Sequence, residues 1–307
     1  MKPFIILTLA LIWTHCCISQ EAVIFYMNNG LKNGENENYK QAILDYDTAI
    51  SLSPNNSEAY YLRGSMKGEI EEINESIIDF DKALKLNPNY LFALINRGIA
   101  KVDIGKYKDG IKDFDKALNQ NPNSTNLSEI YYYRGCAKYY LADFKESLTD
   151  LDKAIVFESF AAAGYYMKGN LYGDLKDFQN SIIQFNKAIE LKPAFTLAFE
   201  HRGMAYEKQK QYKNAISDYN KAIELDSSIA SIYFNRGVSK YFLEKDSDAI
   251  IDFNKCLDLD KNYIDAYINR GLSKLNLGDK EGACDDFQAT RNLGSKLANP
   301  YLKEHCN

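Results

Sequence analysis

The sequence has little of what enzymes use for catalysis. Its 307 residues include only three histidines, and two of these, His201 and His305, lie beyond residue 19. It contains no His-Glu-x-x-His pair, no Gly-x-Ser-x-Gly turn and no phosphate-binding glycine-rich loop. No two cysteines have Cys-x-x-Cys spacing, and the acidic residues recur at regular intervals instead of converging on one centre. We therefore expect a protein that is not an enzyme, with no catalytic residue, no metal site and no cofactor.

The sequence also lacks an excess or a cluster of positive charge. The sequence has 37 Lys and Arg against 42 Asp and Glu, which gives a formal net charge of -5, and it contains no basic block. A nucleic-acid-binding surface needs clustered Lys and Arg to meet the phosphates. We therefore expect no nucleic-acid partner.

Long apolar runs are absent except at the N-terminus. Residues 4–13 are almost wholly apolar and follow a single lysine. A run of about ten residues is too short to span a bilayer and is typical of a secretory signal peptide. We predict a signal peptide over residues 1–19, cleavage before Gln20, and a mature protein that is periplasmic or secreted. The alternatives are an uncleaved anchor or a lipid on Cys16 or Cys17, and we expect membrane contact only if the chain is lipidated.

The chain is organised by a glycine that recurs, preceded in all but the first copy by Arg or Lys. Every step is 34 residues except one of 37. A fixed period of this size indicates stacked copies of one supersecondary unit. The glycines of this column are Gly30, Gly64, Gly98, Gly135, Gly169, Gly203, Gly237 and Gly271.

Other positions keep the same period and predict helices. A large residue lies four positions before each glycine and another lies sixteen after it, and small residues follow it by twelve and nineteen. In one copy Ser76, Phe80, Ala83 and Leu84 fall at i, i+4, i+7 and i+8, which is the apolar stripe of a helix. Pro88 then ends the copy. Since glycine costs about 1 kcal/mol of helix propensity, its recurrence indicates two antiparallel helices that cross too closely for a side chain.

The order of these columns resembles the tetratricopeptide repeat family over residues 23–297. The resemblance implies an all-α fold, a right-handed superhelical solenoid of about eight antiparallel helix hairpins with a concave inner surface. It leaves residues 20–22 as a linker and residues 298–307 as a C-terminal cap. The Asn-rich stretch at 28–38 and the insertion near 124–127 are expected to be loops or frayed repeat edges. The predicted repeats are 23–56, 57–90, 91–124, 128–161, 162–195, 196–229, 230–263 and 264–297.

Charged residues also recur. An Asp stands fifteen residues after the glycine in seven copies, and the one copy with Gln184 there is also the one with Lys168 in place of Arg. We interpret Arg and Asp as a partly buried pair that holds hairpins together, since Arg suits bidentate contact with a carboxylate. The pair could form within one copy or with the Arg of the next copy. Two independent solvated charges are the remaining alternative.

Four cysteines lie beyond residue 19: Cys136, Cys256, Cys284 and Cys306. Asn299-Pro300 can begin a short capping helix that ends at Cys306. A disulfide between Cys284 and Cys306 would staple this cap to the last repeat, and an exported protein permits it. Two unpaired thiols are the alternative.

The resemblance also implies where a partner would bind. In the tetratricopeptide family the concave face comes mainly from first-helix residues that do not pack into the hairpin. We therefore expect a protein or peptide partner in a groove rich in aromatic residues and methionine. One alternative is a glycan-binding or envelope-complex structural protein that uses the tyrosine cluster, and another is that the tyrosines only fill space between hairpins. The predicted groove residues are Tyr132, Tyr133, Tyr139, Tyr140, Tyr166, Met167, Asn170, Glu200, His201, Met204, Phe234, Asn235, Tyr241 and Phe242.

Overall fold

The structure is a computed structural model that describes residues 20–120 and 122–306. These residues form seventeen helices and no strand, so this part of the chain is all-α. The predicted signal peptide and the lipidation sites Cys16 and Cys17 lie outside the described residues. Among the described helices, none combines the length and the apolar character needed to cross a lipid bilayer.

The helices alternate as the first and second members of successive hairpins. The first helices are residues 20–35 (α1), Ser57–Glu69 (α3), Leu91–Asp103 (α5), Ser124–Tyr140 (α7), Glu158–Asp174 (α9), Thr196–Lys208 (α11), Ala230–Tyr241 (α13) and Ile264–Asn276 (α15). The second helices are Tyr39–Leu52 (α2), Ile73–Leu86 (α4), Tyr107–Leu118 (α6), Phe144–Ile155 (α8), Phe178–Leu191 (α10), Tyr212–Leu225 (α12), Asp246–Leu259 (α14) and Lys280–Asn292 (α16). A last helix, Asn299–His305 (α17), follows the eighth hairpin.

Two stretches expected to be irregular are helical. Residues 20–22, expected as a linker, and most of the Asn-rich stretch belong to α1. The insertion near 124–127 lies in α7, which has 17 residues where α5 has 13. The side chain of Asn123 accepts a hydrogen bond from the Asn126 backbone N–H at 2.9 Å. This N-cap satisfies a free donor of the first turn, so the insertion lengthens the helix instead of forming a loop.

The two helices of each hairpin are joined by a turn that contains one left-handed residue. At Ala142, for example, φ is 62°, and the next backbone N–H, of Asp143, bonds to the Lys138 carbonyl at 2.9 Å. This bond is part of a Schellman motif, which closes the end of the first helix. Only two of the eight positions are glycine, so hydrogen bonds and packing must offset roughly 1–2 kcal/mol at each of the others. The left-handed residues are Glu37, Glu71, Gly105, Ala142, Lys176, Lys210, Glu244 and Gly278.

Each repeat glycine lies directly under a large side chain of the second helix. A Cβ placed on Gly98 would lie 2.6 Å from Cε1 of Phe114, whose side chain is fully buried. The same contact joins each of the other repeat glycines to the large residue sixteen positions later. The glycine thus allows the two helices of one hairpin to approach until the ring meets the backbone.

The recurring Arg and Asp form a pair within one hairpin. Arg97 donates from Nε to Oδ2 of Asp113 at 2.9 Å and from Nη2 to Oδ1 at 2.5 Å. Lys101 adds a third hydrogen bond to Asp113 at 2.7 Å. The side chains of Arg97 and Asp113 are only 18% and 7% exposed, so the pair is largely buried. The equivalent bidentate pairs are Arg63–Asp79, Arg134–Asp150, Arg202–Asp218, Arg236–Asp252 and Arg270–Asp286.

The same arginine also joins neighbouring hairpins. Nη1 of Arg97 donates to Asp81 of the preceding hairpin at 2.6 Å. Asp81 belongs to a further periodic column, seventeen residues after the glycine. Later copies have Asn in this column, and Arg236 donates to Asn220 at 2.7 Å. Each such arginine therefore makes three hydrogen bonds to two groups, a carboxylate of its own hairpin and a carboxylate or amide of the preceding hairpin.

The described residues divide into two compact units, one ending at Ser159 and the other beginning at Phe160. In the first unit, α3 contacts α5 and α5 contacts α7, so first helices of successive hairpins touch directly. In the second unit, α11 contacts α13 and α13 contacts α15 in the same way. Within each unit the first helices thus form a continuous face, which we call the first-helix surface of that unit.

The C-terminal end is closed by α17. A disulfide joins Cys284 on α16 to Cys306, with 5.6 Å between the Cα atoms, and the ring of Tyr301 stacks on Phe287 at 5.1 Å between centroids. Cys136 and Cys256 are buried free thiols. The short helix therefore covers the last hairpin through one covalent and one aromatic contact.

Candidate partner-binding surfaces on the first helices

The predicted groove residues lie on four first helices or directly after them and divide between the two units. Tyr132, Tyr133, Tyr139 and Tyr140 belong to α7 in the first unit. The other ten lie in the second unit, on α9, α11 and α13, with Phe242 directly after α13. We describe the two sets separately.

An aromatic cluster stands at the end of α7 in the first unit. Tyr140 is 57% exposed, yet its ring stacks on Tyr107 at 5.0 Å with an interplanar angle of 14°. Tyr139 meets Tyr140 edge-on at 5.2 Å. We call Tyr107, Tyr139 and Tyr140 the first ring cluster. It holds an exposed aromatic side chain in a defined orientation, which lowers the conformational entropy lost on binding.

An equivalent cluster stands at the end of α13 in the second unit. Phe242 is 54% exposed and stacks on Tyr212 at 5.0 Å with an angle of 10°. Tyr241 meets Phe242 edge-on at 5.7 Å. We call these three residues the second ring cluster. It repeats the geometry of the first cluster at repeat positions three copies further along the chain.

Four of these six rings were predicted from the sequence, and the other two were not. Tyr107 and Tyr212 begin second helices, nine residues after their glycines. The family resemblance pointed to first helices, whereas this column lies on second helices. The available signal was that this column also carries Tyr39, Phe144 and Phe178.

A polar and aromatic group lies between α9 and α11. His201 Nδ1 is 2.7 Å from Oδ1 of Asn170, and the tautomer protonated at Nδ1 donates this hydrogen bond. The ring of Tyr166 lies 5.3 Å from the His201 ring and 5.0 Å from Phe195. Burial lowers the pKa of His201, although the nearby carboxylate of Glu200 opposes the shift. Burial therefore favours the neutral imidazole, whose nitrogens and ring contact Asn170 and Tyr166.

The remaining predicted residues differ in exposure. Met204 is 39% exposed on α11, whereas Met167 and Glu200 are each only 7% exposed. Glu200 accepts a hydrogen bond from Ser231 at 2.8 Å, which links α11 to α13. Phe234 packs on Tyr263 at 5.0 Å. Met167 and Glu200 are therefore part of the packing between helices and do not belong to the exposed surface.

The other predicted positions are half-buried. Tyr132 and Tyr133 lie edge-on at 5.1 Å, and burial raises the pKa of Tyr133. Asn235 is also half-buried on α13. Within residues 20–120 and 122–306, no three His, Cys, Asp or Glu side chains are grouped so that they could hold a metal ion.

Comparison with known proteins identifies the repeats. Tetratricopeptide repeat models match residues 57–90, 162–195 and 230–263, and a second model of the same repeat matches residues 197–228. No curated protein sequence matches this chain.

Several solved structures are similar in fold. The C-terminal part of a tetratricopeptide repeat-containing protein from Cytophaga hutchinsonii has a TM-score of 0.63 and 19% identity, over 78% of this chain and 98% of that one. The Cut9–Hcn1 hetero-tetramer of the APC/C has a TM-score of 0.62 and 15% identity, over 88% of this chain and 53% of that one. MamA from Desulfovibrio magneticus RS-1 has a TM-score of 0.52 and 22% identity, over 55% and 95%.

At these identities the structural likeness shows the fold alone, an all-α superhelical repeat. The repeat models add the family, whose members serve as protein-interaction scaffolds and are generally not catalytic. The chain is a tetratricopeptide repeat protein.

Proposed function

We propose that this protein is a scaffold outside the cytoplasm that binds a peptide segment or a partner protein through its first-helix surfaces. The observation that carries the proposal is the pair of equivalent ring clusters, one in each unit. Each exposes more than half of one aromatic side chain, Tyr140 or Phe242, while a stacked neighbour fixes its orientation. Large rigid aromatic side chains are typical anchors at protein interfaces.

Packing alone does not account for these two rings. An aromatic residue that only filled space between hairpins would be mostly buried, as Phe234 is against Tyr263 and Phe253. In the column of Tyr140 and Phe242, five residues after the glycine, the other copies carry charged or polar residues such as Glu69, Asp174 and Lys208. The repeat therefore does not require an aromatic side chain at this position. Binding to a partner would explain why Tyr140 and Phe242 are aromatic.

The proposal is tested by comparing two matched double variants. Tyr140→Ser with Phe242→Ser removes the exposed rings, and Ile78→Ser with Ile251→Ser removes equally exposed apolar side chains (64% and 63%) from second helices. Crosslinked affinity purification from the native cells, followed by mass spectrometry, then compares retained proteins. We expect the ring variant to lose the partner and the control to keep it, with circular dichroism unchanged in both.

Two outcomes would contradict this reading. Equal capture by the ring variant and the wild type would show that the clusters do not bind the partner. Retention on a polysaccharide resin that depends on the two rings, with no protein captured, would favour glycan binding instead.

The location outside the cytoplasm rests on the N-terminal sequence and is supported by the Cys284–Cys306 disulfide. Disulfides persist in oxidising compartments and are rare in the cytosol. We expect the protein purified from its source to begin at Gln20 and to occur in the periplasmic or secreted fraction. An intact Met1 in the cytoplasmic fraction would overturn this part of the proposal.

A further inference from the structure

A cleft opens between neighbouring first helices of the first unit, away from the ring clusters. It has a volume of about 270 Å³ and lies between α3 and α5, with α4 beneath it. The cleft exists because α3 has Ser65 and Gly68 at its edge, where the fourth copy has Cys136 and Tyr139. Its volume falls just below the roughly 300–1,000 Å³ of small-molecule pockets, which favours one long side chain of a partner over a whole small ligand.

The acidic side chains of this region have no cationic partner. Glu69 and Asp103 line the cleft, and Glu129 on α7 lies near enough to act on Tyr61 and Tyr133. None of the three carboxylates makes a hydrogen bond or an ion pair through its side chain with another described residue. Asp103 is exposed at the cleft and Glu129 is half-buried, and partial burial without a neighbouring cation raises the pKa of both carboxyls.

Two acidic residues on first helices of the second unit do have hydrogen-bond partners. In the second unit, Glu200 accepts a hydrogen bond from Ser231 and Glu207 accepts one from Ser239 at 2.5 Å. The carboxylates of Glu200 and Glu207 thus have partners on the neighbouring first helix, whereas those of Asp103 and Glu129 do not.

A second observation is a buried hydroxyl at the cleft. Ser76 lines the cleft and is 1% exposed, yet its hydroxyl makes no hydrogen bond with any described residue. Its counterparts Ser147 and Ser181 each donate to the carbonyl of their repeat glycine at 2.8 Å. A polar group with so little exposure is usually hydrogen-bonded, so the hydroxyl that opens onto the cleft is available to a polar group placed there.

The aromatic residues beside the cleft suit a cation. Tyr61 lies 4.9 Å from Tyr90 and 6.3 Å from Phe92, which is 47% exposed, and Phe80 lines the cleft beneath. A Lys or Arg side chain can lay its methylene groups on such rings while its charge meets a carboxylate. A hydrogen bond between a charged Lys or Arg and a carboxylate is about twice as strong as one between neutral groups.

We propose that this cleft receives a Lys or Arg side chain of the bound protein segment, with Asp103 and Glu129 meeting its charge. The proposal rests on the proposed scaffold function and names the chemistry of the segment. Ser76 and Asn96 are placed to hydrogen-bond the segment at the same opening.

The test uses a random library of displayed 15-residue peptides and the full-length protein. We expect the wild type to select peptides enriched in Lys or Arg beside apolar residues. For a selected peptide, Asp103→Asn with Glu129→Gln should weaken binding at least about tenfold, the loss expected for a charged contact. The matched control, Glu75→Gln with Glu146→Gln, changes the net charge equally on exposed positions of α4 and α8 and should change binding less than about twofold.

The contact between the peptide and Glu129 can also be measured directly. Saturation with the selected peptide should lower the pKa of the Glu129 carboxyl, because the bound cation stabilises the charged form. Nuclear magnetic resonance measures this pKa in the free and the bound protein. Selected peptides without basic residues, or equal loss in the cleft variant and the control, would overturn the cleft proposal. A wild type that selects no peptide would overturn it too. The scaffold proposal fails separately, if the ring variant captures the native partner as well as the wild type does.

Discussion

Alanine at Gly169 should destabilise the protein, whereas alanine four residues later, at Gly173, should not. Both glycines lie in α9, and both substitutions reduce the conformational freedom of the unfolded chain. A Cβ on Gly169 would lie 2.5, 2.6 and 2.8 Å from three ring atoms of Phe185. A Cβ on Gly173 would have its nearest neighbour, Oγ of Ser181, at 3.6 Å. The two substitutions are thus alike in chemistry and differ in the space available.

The magnitude follows from the overlap. Phe185 is 2% exposed, so its ring is enclosed on all sides. Carbon atoms in contact prefer about 3.5–4.0 Å, so the ring and α9 must separate by roughly 1 Å. Overpacking costs about 1–3 kcal/mol, and three simultaneous overlaps place Gly169→Ala near the upper end. Subtracting the gain of about 1 kcal/mol in helix propensity leaves a net loss of about 2 kcal/mol.

Gly173 lies in the last turn of α9, so Gly173→Ala gains up to about 1 kcal/mol. The two variants should therefore differ by about 2–3 kcal/mol. Urea unfolding followed by far-ultraviolet circular dichroism measures the difference. Midpoints are compared directly, because repeat arrays depart from two-state unfolding.

A compensating variant sharpens the test. The fourth copy has Leu151 over Gly135, where the other ring positions have Phe or Tyr. Adding Phe185→Leu to Gly169→Ala should therefore recover part of the lost stability, although Phe185→Leu alone destabilises. If Gly169→Ala unfolds at the same urea concentration as Gly173→Ala, or a higher one, close contact with the ring is not why the glycine recurs.

Three further predictions follow from the charged pairs, the C-terminal cap and His201. Arg97→Lys keeps the charge but loses the forked contact with Asp113, and we expect a lower urea midpoint and a loss of about 1.5–3 kcal/mol in the first unit. An unchanged midpoint would show that the pair contributes no more than an exposed ion pair. Replacing both Cys284 and Cys306 by Ser opens a loop closed over 22 residues and should cost about 3 kcal/mol by the chain-entropy relation. Hydrogen exchange should then accelerate in α16 and α17, and unchanged protection there would contradict the prediction. The folded pKa of His201 is lowered by burial, so its contribution to stability is complete above its unfolded pKa of about 6.5 and is lost as the pH falls through the folded pKa. His201→Asn should therefore reduce the drop in melting temperature between about pH 7 and pH 5, whereas an identical pH profile in the variant and the wild type would refute the assignment.

The repeated elements of the fold were predictable because each depends on contacts within one copy. The glycine column and the residue sixteen positions later meet in every described hairpin, as Gly98 and Phe114 show. The all-α repeat fold followed from this pattern and from its likeness to a known family. The helical state of the insertion in α7 did not, because it depends on the cap that Asn123 supplies.

The candidate surfaces were predictable in part. The periodic pattern identifies which positions vary from copy to copy, and it correctly included Tyr140 and Phe242 among the exposed ones. It could not distinguish them from Met167 and Glu200, which are buried, because burial depends on how closely neighbouring first helices pack. The export signal and the binding of a peptide segment in the groove remain predictions.

Arg97 shows which contacts can be predicted from the sequence and which require the tertiary structure. Two columns that change together indicate that Arg and Asp pair, and the structure shows that the Asp partner of Arg97 is Asp113 of its own hairpin. The bond of Arg97 to Asp81, the stack of Tyr107 on Tyr140 and the unpaired hydroxyl of Ser76 all arise where one hairpin meets the next or where a cleft opens between them. The period specifies that hairpins repeat. The distance and angle between neighbours depend on side chains from both, and so these contacts appear only when the hairpins are packed together.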